Sequence, residues 1–337
     1  MKRALELAIR GAGKVSPNPL VGAVLVYRQR IIGEGWHRQF GGPHAEVNCL
    51  QSVIPADRHL IPEGVLYVTL EPCAHHGKTP PCADLLVASG VRQVVIGCTD
   101  PNPLVSGAGI ARLQQAGVEV LTGFMEPECR WMNRRFLYGM VNKKPYVVLK
   151  WAQTADGFMA PADRSRKQIS NRYAQMLAHT WRAEEDAVLV GTQTALADDP
   201  KLSVRMVKGR APLRIVTDRT LRLPTTLHLF DGTQPTLVLN EQKEERAANV
   251  EWKRISFGAD FIKDLLEVLQ QRPVQSLLVE GGAALLQSFI EAGCWQEARV
   301  IQSPVLWGNG LPAPVLGREP LFVCPVAGDT LFTYVNG

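Results

Sequence analysis

A histidine, a glutamate and two cysteines occur in one stretch of the sequence in a pattern that suits zinc chemistry. His44 precedes Glu46 by two positions, and Cys73 and Cys82 each follow a proline. One imidazole and two thiolates give zinc the three ligands of a hydrolytic site and leave a fourth position for water, whose pKa falls to about 7. Glu46 can reach that water without binding zinc and carry its proton to a ring nitrogen and a departing amine. The pattern predicts hydrolytic deamination of an aminated heterocycle.

The segment between the two cysteines is longer than the two residues of the zinc-deaminase signature. The cysteines enclose residues 74–81, which include His75 and His76. Either histidine could replace a thiolate as a zinc ligand. Because the segment is rich in glycine and proline, it is better suited to contact a substrate, and Lys78 is available for a phosphate. We therefore expect the two cysteines and the upstream histidine to be the ligands.

Alternating strand and helix patterns in the first half must position these residues. The predicted strands cover residues 21–26, 31–33, 65–69, 91–96 and 118–121, and the first two read as an antiparallel pair. The predicted helices are an apolar stripe of Ala4, Leu5, Ala8 and Ile9, a helix that starts at Pro43 and carries His44 and Glu46, and residues 81–87 and 109–115. Such a chain is expected to pack its helices on a mixed sheet.

A polar, proline-marked segment at residues 142–145 predicts a domain boundary, so that the domains cover residues 1–143 and 144–337. A strand is predicted to follow at residues 146–150, and the alternation of strands and helices then restarts. Further strands are predicted at residues 187–191, 213–217, 236–239 and 276–279. Further helices are predicted at residues 174–182, 261–270 and 283–291. The sequence therefore predicts a two-domain α/β protein.

Composition limits the class of protein. The chain has 337 residues with 46% hydrophobic and 20% charged residues, which is typical of globular domains with sizeable cores. The net charge of +5 is mild and spread along the chain, so we expect no nucleic-acid partner, while a phosphorylated small molecule is compatible. Seven cysteines without regular pairing, no N-terminal apolar segment and no membrane-length apolar run lead us to expect a cytoplasmic protein with no membrane partner.

Three motifs together resemble the RibD family of bifunctional riboflavin biosynthesis enzymes. They are residues 71–82, residues 17–22 and residues 33–37. The resemblance implies a cytidine-deaminase-like αβα domain over residues 1–143 and a dihydrofolate-reductase-like αβα domain over residues 144–337. The first would deaminate 2,5-diamino-6-ribosylamino-4(3H)-pyrimidinone 5′-phosphate, and the second would use NADPH to reduce the ribosyl side chain of the product to ribityl.

The resemblance also implies roles for individual residues of the first domain. It assigns zinc to His44, Cys73 and Cys82 and the proton transfer to Glu46. It places Asn18, His37 and Lys78 in the substrate pocket.

In the second domain the resemblance is carried by residues 149–150, 156–157, 191–200, 202–205 and 279–282. It assigns NADPH to Gln153, Thr194, Asp198, Gly281 and Gly282, and the substrate to Lys150, Arg182, Leu202, Arg205 and Glu280. A Gly-Gly turn between a strand and a helix lets backbone N–H groups approach a phosphate, although an ordinary tight turn gives the same pattern. For Arg182, a solvated helix face is the alternative. Residues 164–168 differ from relatives, so contacts from that segment are left open.

Other functional classes are compatible with parts of the sequence. A deaminase of nucleic acid would need a basic surface with stacking aromatic residues, and the 7% aromatic content shows no basic interleaving. A zinc-stabilised binding module would need four protein ligands, for which His75 or His76 would have to serve. A third alternative keeps the deaminase and loses the reductase. The resemblance implies a homo-oligomer, either a dimer or a tetramer.

Overall fold

The computed structural model describes residues 1–74, 80–102, 106–163, 165 and 167–336. The chain divides into two compact units, Met1–Lys143 and Lys144–Gly337. No helix in the described residues combines the length and the apolar character that a bilayer span requires.

In the first unit, helices and strands alternate along the chain. The described helices are α1 (Lys2–Ala8), α2 (Ala45–Ser52), α3 (Cys82–Ala88), α4 (Ala108–Gln115), α5 (Glu126–Met132) and α6 (Arg134–Asn142), with 3₁₀ turns at Ile9–Gly11 and Pro55–Glu63. The strands are β1 (Gly22–Tyr27), β2 (Arg30–Trp36), β3 (Val65–Leu70), β4 (Gln93–Cys98) and β5 (Glu119–Thr122).

The strands form a mixed sheet in the order β2-β1-β3-β4-β5. The β1–β2 and β1–β3 pairs are antiparallel, whereas β3–β4 and β4–β5 are parallel. Because side chains alternate along a strand, Leu25 of β1 faces a core shared with α2, α3 and α4, while Val24 packs on α1. Helices on both faces confirm the predicted αβα arrangement, with a mixed sheet in its centre.

The second unit contains a longer sheet. Its described helices are α7 (Arg172–Glu184), α8 (Thr192–Asp198), α9 (Phe261–Gln270) and α10 (Ala283–Glu291), with a 3₁₀ turn at His228–Phe230. Its strands are β6 (Tyr146–Gln153), β7 (Phe158–Pro161), β8 (Ala187–Val190), β9 (Leu213–Thr217), β10 (Thr236–Asn240), β11 (Glu245–Ala247), β12 (Val250–Arg254), β13 (Ser276–Val279), β14 (Glu297–Gln302), β15 (Gly310–Pro312), β16 (Phe322–Val326) and β17 (Asp329–Val335).

The central strands of this sheet, in the order β12-β10-β9-β8-β13-β6-β14, run parallel. Antiparallel β11 lies at one edge, and the β17–β16 hairpin lies at the other. The carboxyl ends of parallel strands meet along one edge of a sheet, and ligands bind in the crevice outside that edge. Gly191 follows β8 and Glu280 follows β13, so both lie at this edge.

The structure corrects two local predictions in the first unit. His44 does not lie within α2 but is its N-cap residue, with an extended backbone whose carbonyl accepts from the N–H of Asn48 at 3.1 Å. The His44 side chain therefore projects from the residue before the helix and not from the helix itself. Ile9 does not belong to the buried stripe and is 55% exposed, because α1 ends at Ala8 and the chain continues as a 3₁₀ turn.

Candidate active sites

The predicted zinc ligands converge from three different elements. His44 caps α2, Cys73 lies in the loop after β3, and Cys82 is the first residue of α3. The Nδ1 atom of His44 is 3.3 Å from the Cys82 sulfur and 3.6 Å from the Cys73 sulfur. Donor atoms from these residues all lie within 4.8 Å of one another. One nitrogen and two sulfurs at this separation fit the ligand preferences of zinc.

The pKa values of the two thiols are shifted in opposite directions. The Cys82 thiol and backbone N–H donate to the Cys73 sulfur, and these contacts, together with His44, lower the pKa of Cys73. The same thiol hydrogen bond and burial raise the pKa of Cys82. A divalent cation would displace the proton that the sulfurs share.

Glu46 lies beside this cluster in the first turn of α2. Its side chain is buried, with 3% of the residue exposed, and its carboxylate is close enough to accept a hydrogen bond from the Cys82 thiol. Burial raises the pKa of Glu46. The structure thus brings a buried carboxyl group to the edge of the ligand set, where it can exchange protons with a water molecule.

A hydrogen-bonded pair adjoins the same cluster. His37 is 2% exposed, and its ring meets the His44 ring edge-on with centroids 5.5 Å apart. Its Nδ1–H donates to the carbonyl of Pro43 at 3.0 Å, which leaves Nε2 to accept from the Asn18 amide, also at 3.0 Å. These two hydrogen bonds fix the orientation of the Asn18 amide relative to His37.

Three residues considered in the sequence analysis, His75, His76 and Lys78, lie outside the described residues.

A cavity of about 280 Å³ lies at the carboxyl edge of the second unit's sheet. Its lining residues come from β6, β8, α7, α8 and the segments around them: Lys150, Lys167, Gln168, Arg182, Val190, Thr194, Asp198, Pro200, Leu202 and Glu280. Three cationic side chains and two acidic side chains therefore face the cavity, an excess of one positive charge that suits an anionic ligand.

An ion-pair cluster forms one wall of this cavity. Two guanidinium nitrogens of Arg182 donate hydrogen bonds to the Glu280 carboxylate, one of them at 2.7 Å. The Lys150 ammonium group lies 3.8 Å from the same carboxylate. Burial alone would raise the pKa of Glu280, but the two cations hold it at about 2. Burial also lowers the pKa of Lys150, against the opposing effect of Glu280. With 14% of its side chain exposed, Arg182 does not lie on a solvated helix face, so that alternative is wrong.

Sequence reasoning missed residues that line this cavity or interact with its ion-pair cluster. His179 lies three positions before Arg182 on α7, a spacing that places both on one helix face and could have revealed it. Burial and the charges of Arg182 and Arg205 lower its pKa to about 4, so its ring is neutral at pH 7. Lys167 and Gln168 also line the cavity, although contacts from their segment had been left open. No sequence pattern marked them.

Four predicted residues do not line the described cavity: Gln153, Arg205, Gly281 and Gly282. Gln153 points to the opposite face of β6 from Lys150, and its amide oxygen accepts from the Trp151 indole at 2.7 Å. Arg205 has an exposed side chain, and its backbone N–H donates to the His179 ring at 3.3 Å.

The glycine pair forms a close passage between β13 and α10. Gly281 has φ of +130°, which L side chains rarely adopt, and its carbonyl accepts from the Gly191 N–H at 2.9 Å. A Cβ atom on Gly282 would lie 3.0 Å from the Thr194 hydroxyl. This passage leads into the N-terminus of α10, where backbone N–H groups have no partner within the helix.

Comparisons with known proteins match both units. A family model described as the cytidine and deoxycytidylate deaminase zinc-binding region matches residues 1–98. The model of the RibD C-terminal domain matches residues 145–322.

Full-length relatives are similar over nearly the whole chain. The riboflavin biosynthesis protein RibD of Aquifex aeolicus is 39% identical, with coverage of 94% of this chain and 89% of the relative. A Thermotoga maritima diaminohydroxyphosphoribosylaminopyrimidine deaminase/5-amino-6-(5-phosphoribosylamino)uracil reductase is 37% identical and has a TM-score of 0.90, covering 99% of this chain and 96% of that one. Acinetobacter baumannii RibD is 35% identical with a TM-score of 0.88, covering 99% and 97%.

Proposed function

This chain belongs to the RibD family of riboflavin biosynthesis proteins, and we propose that its two units catalyse consecutive steps on one phosphorylated pyrimidine. The resemblance read from the sequence is thus confirmed, together with both fold types and both enzyme types. The first unit deaminates 2,5-diamino-6-ribosylamino-4(3H)-pyrimidinone 5′-phosphate. The second unit reduces the ribosyl side chain of the product to give 5-amino-6-(5-phosphoribitylamino)uracil. The match of residues 145–322 to the RibD C-terminal domain argues against the alternative of a deaminase that acts on nucleic acid.

The observation that carries the deaminase assignment is the buried carboxyl of Glu46 beside three convergent ligands, His44, Cys73 and Cys82. Zinc bound there supplies Lewis acidity that makes a water molecule nucleophilic near neutral pH. Glu46 takes one proton from the attacking water and delivers it to the pyrimidine ring nitrogen. It then transfers the second proton of that water, from the hydroxyl group added to the ring carbon, to the amine as the carbon–nitrogen bond breaks. Asn18, oriented by His37, accepts a hydrogen bond from an amino group of the substrate. Ammonia and the uracil ring are the products.

The reductase assignment is supported by the cavity at the carboxyl edge of the second sheet. NADPH, when bound, supplies the hydride that reduces the anomeric carbon of the ribosyl group. Opening of the sugar ring also requires a proton on its ring oxygen, and Lys150, whose pKa is lowered by burial, is the proposed donor. Glu280 holds Lys150 and Arg182 in place, and Lys167 contributes positive charge for the substrate phosphate.

Mass spectrometry of the products tests both assignments together. Zinc-loaded protein is incubated with the diaminopyrimidine ribosyl phosphate, with and without NADPH. We expect a deaminated ribosyl product without NADPH and the ribityl product with it. Deamination that never continues to the ribityl compound would leave only the first activity and support the alternative of an inactive reductase. A lack of both products would restore the binding-module alternative.

Removal of zinc is expected to separate the two activities. After treatment with a strong chelator, deamination should fall below detection, because the remaining side chains have no Lewis acid with which to activate water. Reduction of added deaminated substrate should continue at its original rate. Ammonia release and NADPH oxidation measure the two reactions, and added zinc should restore the first. Persistent deamination at undetectable zinc would contradict the assignment.

Substitution of Gly282 by alanine is expected to weaken NADPH binding. The new Cβ atom would lie 3.0 Å from the Thr194 hydroxyl and fill the passage proposed for a cofactor phosphate. We expect the KM for NADPH to rise by about 10-fold, the effect of losing roughly 1.4 kcal/mol of binding energy. Gly258→Ala is the control, since the nearest atom to its Cβ would be 3.5 Å away. An unchanged KM would place the phosphate elsewhere.

We further propose that the protein acts in the cytoplasm as a homo-oligomer, without nucleic-acid or membrane partners. Reduced cysteines support this location, because both sulfur ligands must be available as thiolates. Sedimentation of the purified enzyme would determine its oligomeric state.

A further inference from the structure

Glu71 makes an unusual set of contacts at the end of β3. The residue is 4% exposed, yet its carboxylate accepts four backbone N–H groups. One oxygen accepts from Asp100 at 3.2 Å and from Gly107 at 3.1 Å. The other accepts from Gly109 at 3.0 Å and from Ile110 at 3.3 Å. The buried negative charge is therefore stabilised by N–H dipoles, half of them in the first turn of α4.

These contacts join two separate parts of the first unit to one strand end. Asp100 follows β4, and Gly107 is the N-cap residue of α4, so the carboxylate fastens both ends of the segment between them. The backbone N–H of Glu71 also donates to the carbonyl of Cys98 at 2.9 Å. Glu71 is thus fixed through its main chain and through both oxygens of its side chain.

Pro72 connects Glu71 to the proposed zinc ligand Cys73. A Cβ atom on Gly109 would lie 1.9 Å from the Pro72 carbonyl oxygen, so α4 is in close contact with the backbone between Glu71 and Cys73. The carbonyl of Cys73 accepts from Ala83 at 3.2 Å, and its sulfur accepts from the Cys82 N–H at 3.3 Å. The Cys73 backbone therefore lies between two helix starts, α4 on one side and α3 on the other.

We propose that Glu71 is a positioning residue that sets the place of Cys73 relative to His44 and Cys82. Its carboxylate holds α4 against Pro72 and thereby fixes the backbone from which the Cys73 sulfur projects. The inference rests on the proposed zinc-dependent deamination and adds to it a residue that touches neither metal nor substrate. Groups that orient metal ligands in this indirect way typically change metal affinity by about 10- to 100-fold when they are replaced.

The test compares Glu71→Gln with Asp84→Asn in the full-length enzyme. Glutamine keeps the shape but points an amide N–H group at N–H donors, so two of the four hydrogen bonds are lost. Asp84 also joins α3 to α4, through Arg112 at 2.6 Å, but its side chain is 31% exposed and it takes part in none of the four hydrogen bonds to the Glu71 carboxylate. Zinc dissociation constants are measured by competition with a chromophoric chelator, and Co²⁺-loaded proteins are compared by visible absorption.

For Glu71→Gln we expect the zinc dissociation constant to rise by about 10- to 100-fold and the Co²⁺ absorption to change. For Asp84→Asn we expect a change of less than about 2-fold and an unaltered Co²⁺ spectrum. Reduction of added deaminated substrate should be unchanged in both variants and serves as an internal control. A Glu71→Gln protein with the wild-type zinc affinity and Co²⁺ spectrum would overturn the proposal.

Glu71→Asp covers the case in which the glutamine variant fails to fold, as judged by far-UV circular dichroism. Aspartate retains the charge but is one methylene shorter, so it cannot reach both pairs of donors. Weaker zinc binding in this variant supports the proposal, and wild-type zinc binding in it contradicts the proposal. Failure of the wild-type enzyme itself to bind zinc or to deaminate would instead refute the proposed function.

Discussion

Replacement of Glu46 by glutamine is expected to eliminate deamination while zinc remains bound. The amide has the size of the carboxyl group but cannot accept a proton from water and pass it to the ring nitrogen. General acid–base catalysis of this kind contributes about 10²- to 10⁴-fold, so ammonia release should fall by at least the lower figure. Stopped-time assays of ammonia, with zinc content measured on the same samples, check the result.

Glu63→Gln is the matched control for Glu46, because it removes an exposed carboxylate from the same unit. It should leave deamination unchanged. NADPH oxidation with added deaminated substrate should be unchanged in both variants, since the altered residues belong to the first unit. If Glu46→Gln released ammonia at the wild-type rate, Glu46 would have no part in proton transfer.

Replacement of Glu280 by glutamine is expected to damage both the stability and the activity of the second unit. The change leaves Arg182 and Lys150 as buried cations without their shared counter-charge. Loss of one partner from a buried ion pair typically costs about 3–5 kcal/mol, and reductase kcat/KM should fall by more than about 100-fold. Hydrogen–deuterium exchange of β13 and α7 peptides reports this destabilisation separately from the first unit.

Glu251→Gln is the matched control for Glu280→Gln, because it also removes the acidic partner of an ion pair in the second unit. Glu251 pairs with Arg272, but their side chains are 27% and 26% exposed. Removal of a pair so close to water should cost only about 0–1 kcal/mol. Equal protection of β13 amides in the Glu280 and Glu251 variants would show that the buried cluster contributes no more than a surface pair.

Acid titration gives a second measure of the Glu280 contribution. Its pKa is about 2 in the folded protein and 4.5 in the reference state, so the unfolded chain binds its proton first as the pH falls. The stabilisation is present above pH 5 and is lost between about pH 5 and pH 2, by roughly 3 kcal/mol in all. Glu280→Gln should lack this component of the acid-induced loss. An identical pH dependence in both proteins would contradict the assigned pKa.

Local patterns were sufficient for several elements of the second unit. The predicted bounds of β9, α9, β13 and α10 coincide with those observed, because each combines a clear apolar periodicity with glycine, proline or polar residues at its ends. No element was predicted for the hairpin of β16 and β17. The sequence of β16 has no alternation of apolar and polar residues that would mark a strand. Its five residues are mostly exposed in the structure in spite of their apolar character.

The sequence by itself determined the chemistry that this protein can perform. The identity and order of His44, Glu46, Cys73 and Cys82 match the signature of a zinc deaminase, which can be recognised from residue types alone without any knowledge of their contacts. Helix and strand periodicity likewise determined the two α/β units, since it depends on neighbouring residues.

Tertiary structure decided which groups interact across long sequence separations. Arg182 and Glu280 are 98 residues apart, so no local pattern could show that they form a buried pair. The same holds for Glu71, whose four donors lie 29 to 39 residues further along the chain. Hydrogen-bond partners and pKa values depend on distances and on burial, and both are set only when distant segments pack together.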